Sequence, residues 1–387
     1  MKNRKAPGAD AITAEALKAG GTEIVRFLHL LFNKIWSEEK PPLDWSKMIV
    51  TPIHKKGSKL DPSNYRAISL TSIPGKVFTH ILLQRMKTQS EGFINDNQFG
   101  FRPNRGTVDA IFITRQIIEK AKEHKVTIHF NFVDFKSAFD TIWREALWKM
   151  LLSIGISRKI IIIINKLYEN TECAVTIDGK LTEWFCVLIG LRQGCLLSPT
   201  LFNIFLEFVL KEIKCVPQQL AMNDKELAQI IKYADDTTLL ALGFQKLQEM
   251  SSQLQSACTK WGMKINTAKC KVLTTAEDQI TIQGEHIENV KDFIFLGSSV
   301  PNVTNDIDRR IVLASTSFGR LRKAIWNNRK ISLQLKMRLF RALILPIATY
   351  ASETWVLTIK DENKLNVFEM RCLRAILGVS RRDRISN

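Results

Sequence analysis

From Val126 to Val133 apolar and polar residues alternate, with Ile128, Phe130 and Phe132 on one side and Thr127, His129 and Asn131 on the other. That period of two predicts a strand. Just beyond it, Phe139, Ile142, Trp143, Ala146, Leu147, Met150 and Leu151 recur at helical spacing along one stripe. Ile230 to Leu242 predicts two short strands joined by a turn at Ala234-Asp235-Asp236. Past residue 300 the pattern turns helical: Ile307, Ile311, Ala314, Phe318, Leu321 and Ile325 form an apolar stripe, with Arg309, Arg310, Arg320, Arg322 and Lys323 off it. Loop chemistry gathers at Lys40-Pro41-Pro42, Lys56-Gly57-Ser58 and Arg102-Pro103-Asn104-Arg105-Gly106. The chain therefore reads as a mixed α/β body followed by a helical unit.

Charge sharpens that division. Residues 1–106 carry 17 Lys/Arg against 9 Asp/Glu, residues 107–300 carry 22 of each, and residues 301–387 carry 17 against 7. The net charge of +18 thus sits in two flanks around a neutral middle. Such a distribution suits a clamp that holds a polyanion, nucleic acid first among them, over a catalytic floor. The off-stripe cations Arg309, Arg310, Arg320 and Lys323 are candidates for phosphate contact, weighed against a merely solvated helix face.

Other classes recede. The most apolar run, Ile160 to Ile164, lies between Lys159 and Lys166. A membrane span needs ~20 apolar residues, so this run predicts a buried helix. No apolar segment follows Met1-Lys2-Asn3-Arg4-Lys5 as in a signal peptide. The seven cysteines include no C-x-x-C pair, which predicts reduced thiols, no zinc site and a nuclear or cytoplasmic protein, neither secreted nor membrane-bound.

Three carboxylates carry the candidate chemistry. Asp134 closes the alternating strand, and Asp235 and Asp236 occupy the hairpin turn after Tyr233. Two like charges 4 Å apart repel by about 4 kcal/mol at an effective dielectric of about 20. A cation is needed to balance them, and an all-oxygen ligand set favours magnesium over zinc. Strict alternation places Asp134 on the side of Phe130 and Phe132, so either the strand ends there or a bulge re-aims the residue. Taken alone, Asp-Asp in a turn is better explained by solvation.

The wider pattern resembles the reverse transcriptases of non-LTR (LINE-type) retrotransposons. Tyr233-Ala234-Asp235-Asp236 is similar to their catalytic hairpin, and Phe132-Val133-Asp134-Phe135-Lys136-Ser137-Ala138-Phe139-Asp140 to their first catalytic segment. Arg192-Gln193-Gly194-Cys195-Leu196-Leu197-Ser198-Pro199 resembles R-Q-G-C-x-L-S-P, and Gln98-Phe99-Gly100-Phe101-Arg102 resembles Q-x-G-F-R. Asn64-Tyr65-Arg66-Ala67-Ile68-Ser69-Leu70 is similar to Y-R-P-I-S-L. Gly262-Met263-Lys264-Ile265-Asn266 with Lys269 resembles G-x-x-I-N-x-x-K, and Phe295-Leu296-Gly297 the Y-L-G of the primer grip. Lys5-Ala6-Pro7-Gly8 with Asp10 is similar to a segment just before the fingers. The motifs keep the family's order over nearly the whole chain. Ala67, Cys270 and Phe295 depart from the usual proline, threonine and tyrosine and leave the catalytic charges in place.

The resemblance implies an α+β right-hand polymerase fold with an α-helical thumb. It divides the chain into an N-terminal extension (1–35), fingers and palm (36–301) and a basic thumb-like region (302–387). It implies an RNA-directed DNA polymerase that extends a DNA primer on an RNA template with dNTPs, using two Mg²⁺ ions or Mn²⁺. Asp134 and Asp235 would be the main metal ligands, with the Phe135 carbonyl and Asp236 assisting and Lys269 as acid. Lys55, Lys56 and Arg66 would hold the triphosphate, Gln193 and Gly194 position the nucleotide, and Phe139 floor its sugar. Arg102, Leu296 and Gly297 would meet nucleic acid. Family proteins usually add an endonuclease domain and often a Cys/His knuckle, so the chain is expected to be the polymerase portion. Two other readings stand beside this one: a catalytically silent nucleic-acid-binding remnant, and an RNA-synthesising or maturase-like relative.

Overall fold

In the computed structural model, which describes residues 2–55, 57–214, 228–274 and 277–383, the alternating segment becomes the middle strand of a five-stranded sheet. Its order is Asn289–Val290, Lys271–Leu273, His129–Val133, Asp236–Ala241, Ala228–Tyr233. The middle strand is antiparallel to both neighbours. It starts later than the alternation suggests, because Lys125 turns the backbone left-handed just before it (φ 56°).

Both faces of this strand are buried, which sequence alternation alone did not anticipate. Phe130 and Phe132 join a core with Ala110, Ile111 and Ile118 of the Thr107–Glu123 helix and with Phe295. The opposite side packs on the Phe244–Trp261 and Ser198–Leu210 helices, part of the largest core. His129 and Asn131 face inward and find partners there: His129 Nδ1 lies 2.6 Å from the Thr274 hydroxyl, and the Asn131 amide donates to Ser251 Oγ at 2.9 Å, while Asn131 Oδ1 is left without one. Buried polar groups persist where such partners exist.

The Ala228–Tyr233 strand lies at the edge of this sheet, and its flank is covered. Lys232 donates its N–H to Asn97 O (2.9 Å) and accepts from Phe99 N (2.8 Å). Its ammonium is buried 2.6 Å from Glu207. Burial lowers the affinity of Lys232 for its proton, and Glu207 opposes that. Covering an edge in this way removes its unpaired backbone groups from solvent.

The helix read from Phe139 to Leu151 forms only over Arg144–Ser153. The missing turns have another use: Phe139 O accepts from Leu191 N (2.7 Å) and Ile142 O from Gly190 N (3.0 Å). Tertiary bonding here overrides helical spacing. The apolar run Ile160–Ile164 lies in the Arg158–Glu169 helix, most of it buried. No helix among the described residues is long and apolar enough to cross a membrane.

A second sheet is ordered Tyr65–Leu70, Lys47–His54, Glu172–Ile177, Lys180–Leu181, with Phe185–Cys186 also pairing to Glu172–Ile177. The last unit is helical, with Val303–Arg320, Leu333–Leu343 and Ile359–Leu377 closing over Trp326, Phe340, Phe368 and Ile376. The long stripe from Ile307 to Ile325 is interrupted: the α-helix ends at Arg320 and Arg322–Trp326 winds as a π-turn.

Candidate active site

The site is built where the central strands end. Val133 pairs with Thr237, and the next residues outward on those strands are Asp134 and Asp236. Tyr233 pairs with Asp236, leaving Ala234 and Asp235 as a two-residue turn with Ala234 left-handed (φ 57°). The hairpin read from the sequence is thus formed, and it carries two carboxylates toward the third. The strand ends at Val133, and Asp134 just beyond it lines one hollow of about 340 Å³ with Phe132, Val133, Asp236, Thr237 and Thr238. The face that is core at Phe132 becomes site at Asp134, because the covering Phe293–Phe295 strand flanks this same hollow.

The electrostatics match that crowding. Burial, then the charges of Asp235 and Asp134, push Asp236 up to about 6. Asp235 is also raised, by burial and by Asp134, while Arg66 pulls the other way. Carboxylates held in this state favour a bound cation. Among the described residues no group of three or more His, Cys, Asp or Glu side chains is arranged to hold a metal ion by itself.

Asp134 is supported from Asn266, whose backbone N–H donates to Asp134 O (2.8 Å) and whose amide donates to Oδ2 (2.9 Å). Lys269, largely exposed, lies 3.5 Å from the same oxygen. Phe135 forms an isolated bridge with Ile265 on the same segment. The Ala234–Asp235 turn is held from beneath by Gln98: its Oε1 accepts from Ala234 N (2.9 Å) and Gly100 N (2.8 Å), and its Nε2 donates to Ala234 O (3.3 Å). Gly100 presses so close that a Cβ there would lie 2.2 Å from Ala234 N. Asn266 and Gln98 were not among the expected site residues, although both sit in motifs the sequence exposes.

The nucleotide-side residues gather beside the carboxylates. Ser69 N donates to Gln193 O (2.7 Å), and Gln193 Nε2 donates to Asp140 Oδ1 (3.0 Å). Gly194 adopts φ 118°, and a Cβ would meet Ser69 O at 2.5 Å, so only glycine fits. Phe139 stacks on Phe202 with ring centroids 4.4 Å apart. Loss of solvent raises the Asp140 carboxyl, which Gln193 and Lys55 oppose. Arg66 is exposed on the strand paired to Ile53. Lys56 lies outside the described residues.

Several expected nucleic-acid contacts are occupied inside the protein. Arg102, its side chain 6% exposed, donates to Glu91 (2.9 Å) and to Asn95 O (2.9 Å). Arg309 donates to Gly297 O (2.7 Å), as does Arg310, whose guanidinium also lies over the Tyr350 ring. Leu296 O accepts from the Tyr350 hydroxyl (2.8 Å). These arginines brace loops, because each donates to a loop carbonyl of its own protein. Arg320 and Lys323 remain exposed. Leu296 and Gly297 form the tip of a two-residue hairpin, both left-handed (φ 48° and 87°). Just behind it, buried Asp306 accepts from Arg115 (3.0 Å), Ser298 Oγ (2.6 Å), Ser299 N (2.9 Å) and Trp355 Nε1 (3.0 Å).

The chain is similar to known proteins over most of its length. The chain is 25% identical over 402 residues to the RNA-directed DNA polymerase from mobile element jockey of Drosophila melanogaster, covering 97% of this chain and 42% of that protein. It is 27% identical over 275 residues to a Pol polyprotein from type-1 retrotransposable element R2 of Popillia japonica, covering 70% and 37%. The chain thus spans less than half the length of these relatives. An apo telomerase structure from Candida tropicalis shares the fold at TM-score 0.51 and 13% identity, over 92% of this chain and 65% of that one. Residues 53–300 match the reverse transcriptase (RNA-dependent DNA polymerase) family. With the carboxylates, the nucleotide-side loop and the hairpin tip all lying within or at the edge of that span, the chain belongs to the reverse transcriptase family, in the company of non-LTR retrotransposon proteins.

Proposed function

We propose that this chain extends a DNA primer on an RNA template, joining the primer 3′-hydroxyl to a dNTP and releasing pyrophosphate. The observation that carries the reading is the meeting of Asp134, Asp235 and Asp236 at adjacent strand ends, with Asp236 pushed up to about 6 by burial and its neighbours' charge. Two magnesium ions, when bound, supply an activated hydroxyl and charge neutralisation at the leaving phosphates. Asp134 and Asp235 would hold them, with Asp236 and the Phe135 carbonyl assisting.

The remaining roles are those the family resemblance implies, and position supports them. Arg66 and Lys55, on and beside the paired strands facing the site, provide positive charge for a triphosphate. Gln193 and Gly194, pinned to Ser69, form a backbone platform for the nucleotide. Phe139 presents an aromatic floor to its sugar, where a ribose 2′-hydroxyl would lose water without gaining a partner. Lys269, near Asp134, is placed to donate a proton to the leaving group.

The deciding experiment is extension of oligo(dT) on poly(rA) by purified protein, with Asp134→Asn and Asp235→Asn as controls. Extension by the wild type and neither variant is the expected result. Tight duplex binding with no extension in Mg²⁺ or Mn²⁺ would instead make the chain a nucleic-acid-binding remnant.

A further inference from the structure

Phe101 stands in an unusual position for a large aromatic residue. It is 55% exposed, and its backbone is left-handed (φ 58°), a region that bulky L residues rarely adopt. Nothing in the fold's packing requires a ring there, since more than half of its surface faces solvent.

Its neighbours explain how the position is imposed. On one side Gly100 is wedged against Ala234 of the catalytic turn, and its carbonyl accepts from the Asn203 amide (2.9 Å). On the other side Arg102 is buried and tied to Glu91 and Asn95. With both flanks fixed, residue 101 must project outward from the catalytic turn. Its ring lies perpendicular to Phe139, centroids 6.4 Å apart, and Phe139 in turn stacks on Phe202. An aromatic surface therefore runs from the core through Phe139 to an exposed outer ring one residue from the Gly100–Ala234 contact.

We propose that Phe101 is a nucleic-acid-contacting residue of this site, packing against the base pair that the incoming nucleotide forms with its template. This rests on the polymerase reading above. The chemistry fits because an aromatic face stacks on any base and carries no hydrogen-bond code, as a template-copying enzyme requires. A strained, solvent-facing ring held on a rigid support is retained for what it touches, not for what it packs. Its role differs from that of Phe139: it governs how tightly the nascent pair is held, not which sugar is accepted.

The test uses the full chain with Phe101→Gly, Phe101→Leu and Phe101→Trp. One readout is thermal unfolding. The second is anisotropy of a labelled primer–template, its primer chain-terminated, titrated with protein in the presence of the next complementary dNTP. The third is KM for dNTP in extension. Phe101→Gly relieves the left-handed strain, so its Tm should equal or exceed that of the wild type. The same variant should weaken the ternary complex by about five- to hundredfold, the span of one base–aromatic contact. Phe101→Leu should fall between, Phe101→Trp should retain affinity, and the dNTP/rNTP preference should not move. A Phe101→Gly protein that holds the ternary complex as tightly as wild type overturns the proposal. So does one whose lost affinity tracks a lost Tm, which would make the ring structural. If the wild type proves unable to extend primers, the polymerase reading fails on its own. The anisotropy comparison still decides whether Phe101 touches the duplex.

Discussion

One oxygen of Asp134, Oδ2, receives both the Asn266 amide at 2.9 Å and the Lys269 ammonium at 3.5 Å. Asn266 also donates its N–H to the Asp134 carbonyl. A carboxylate tethered through one oxygen and its own backbone has a fixed orientation, which leaves Oδ1 as the atom to meet a cation.

Asn266→Ala should therefore lower extension and raise the magnesium concentration needed for it, by about tenfold to hundredfold. The bond is partly exposed, so the stability loss should be only about 1 kcal/mol. Magnesium titration of extension, run beside thermal unfolding, checks this. Equal magnesium dependence in variant and wild type would reduce Asn266 to a loop anchor.

The raised Asp236 ties metal to pH. A carboxyl whose folded value is about 6 binds its proton more tightly in the folded state than in the unfolded one. Without metal, this group's contribution to stability is present at low pH and lost as pH rises through about 6. Magnesium should therefore stabilise the protein more at pH 7.5 than at pH 5.5. In EDTA, Asp236→Asn should raise Tm at the higher pH, by about 1–2 °C per kcal/mol relieved. A magnesium effect independent of pH would count against the assignment.

Sugar choice should follow Phe139. Phe139→Ala removes a ring stacked on Phe202 and opens space for a 2′-hydroxyl, so relative ribonucleotide incorporation should rise. The ring is only partly buried, so the loss of stability should fall below the ~3–5 kcal/mol of a full core truncation. Kinetics with paired dNTP and rNTP substrates measure the first effect and calorimetry the second. A wild-type ratio in the surviving activity makes Phe139 packing alone.

The helical unit's cations should divide into two groups. Arg320 and Lys323 are exposed, and neutralising both should flatten the log–log salt dependence of duplex binding by roughly 1.4–1.8. Arg310 is buried against Gly297 and Tyr350, so Arg310→Gln should cost stability and leave the slope nearly unchanged. Binding isotherms across a salt series distinguish the two. A slope that responds to Arg310 and ignores Arg320 and Lys323 would reverse this division.

How far the sequence reached depends on where each residue's partners lie. The Asp235 hairpin was legible because its turn and strand pattern are local. The Phe139 turn was not, since its carbonyl is taken by Leu191, across the site. His129 and Asn131 form the polar side of the alternation, yet the Phe244–Trp261 helix covers them, and Thr274 and Ser251 give them buried partners. Charge patterning located the basic flanks but could not tell exposed Arg320 from Arg102, Arg309 and Arg310, whose partners are loop carbonyls and acids. Asp306 and Tyr350 gave no signal, because Arg115 and Thr107 stand far away along the chain.

The buried Asp306 has a mechanical consequence. It joins the first helix of the C-terminal unit to the 298–299 ribbon, to Arg115 and to Trp355, and an uncompensated loss of such an ion pair commonly costs about 3–5 kcal/mol. The Val303–Arg320 helix is therefore clamped at its root, and the π-turn that follows it is pinned in turn by buried Trp326 stacked on Phe318. The Leu296–Gly297 tip rides with that root through Arg309 and Arg310, so hairpin and helical unit move as one piece. Amide exchange would register this as common protection of residues 298–310.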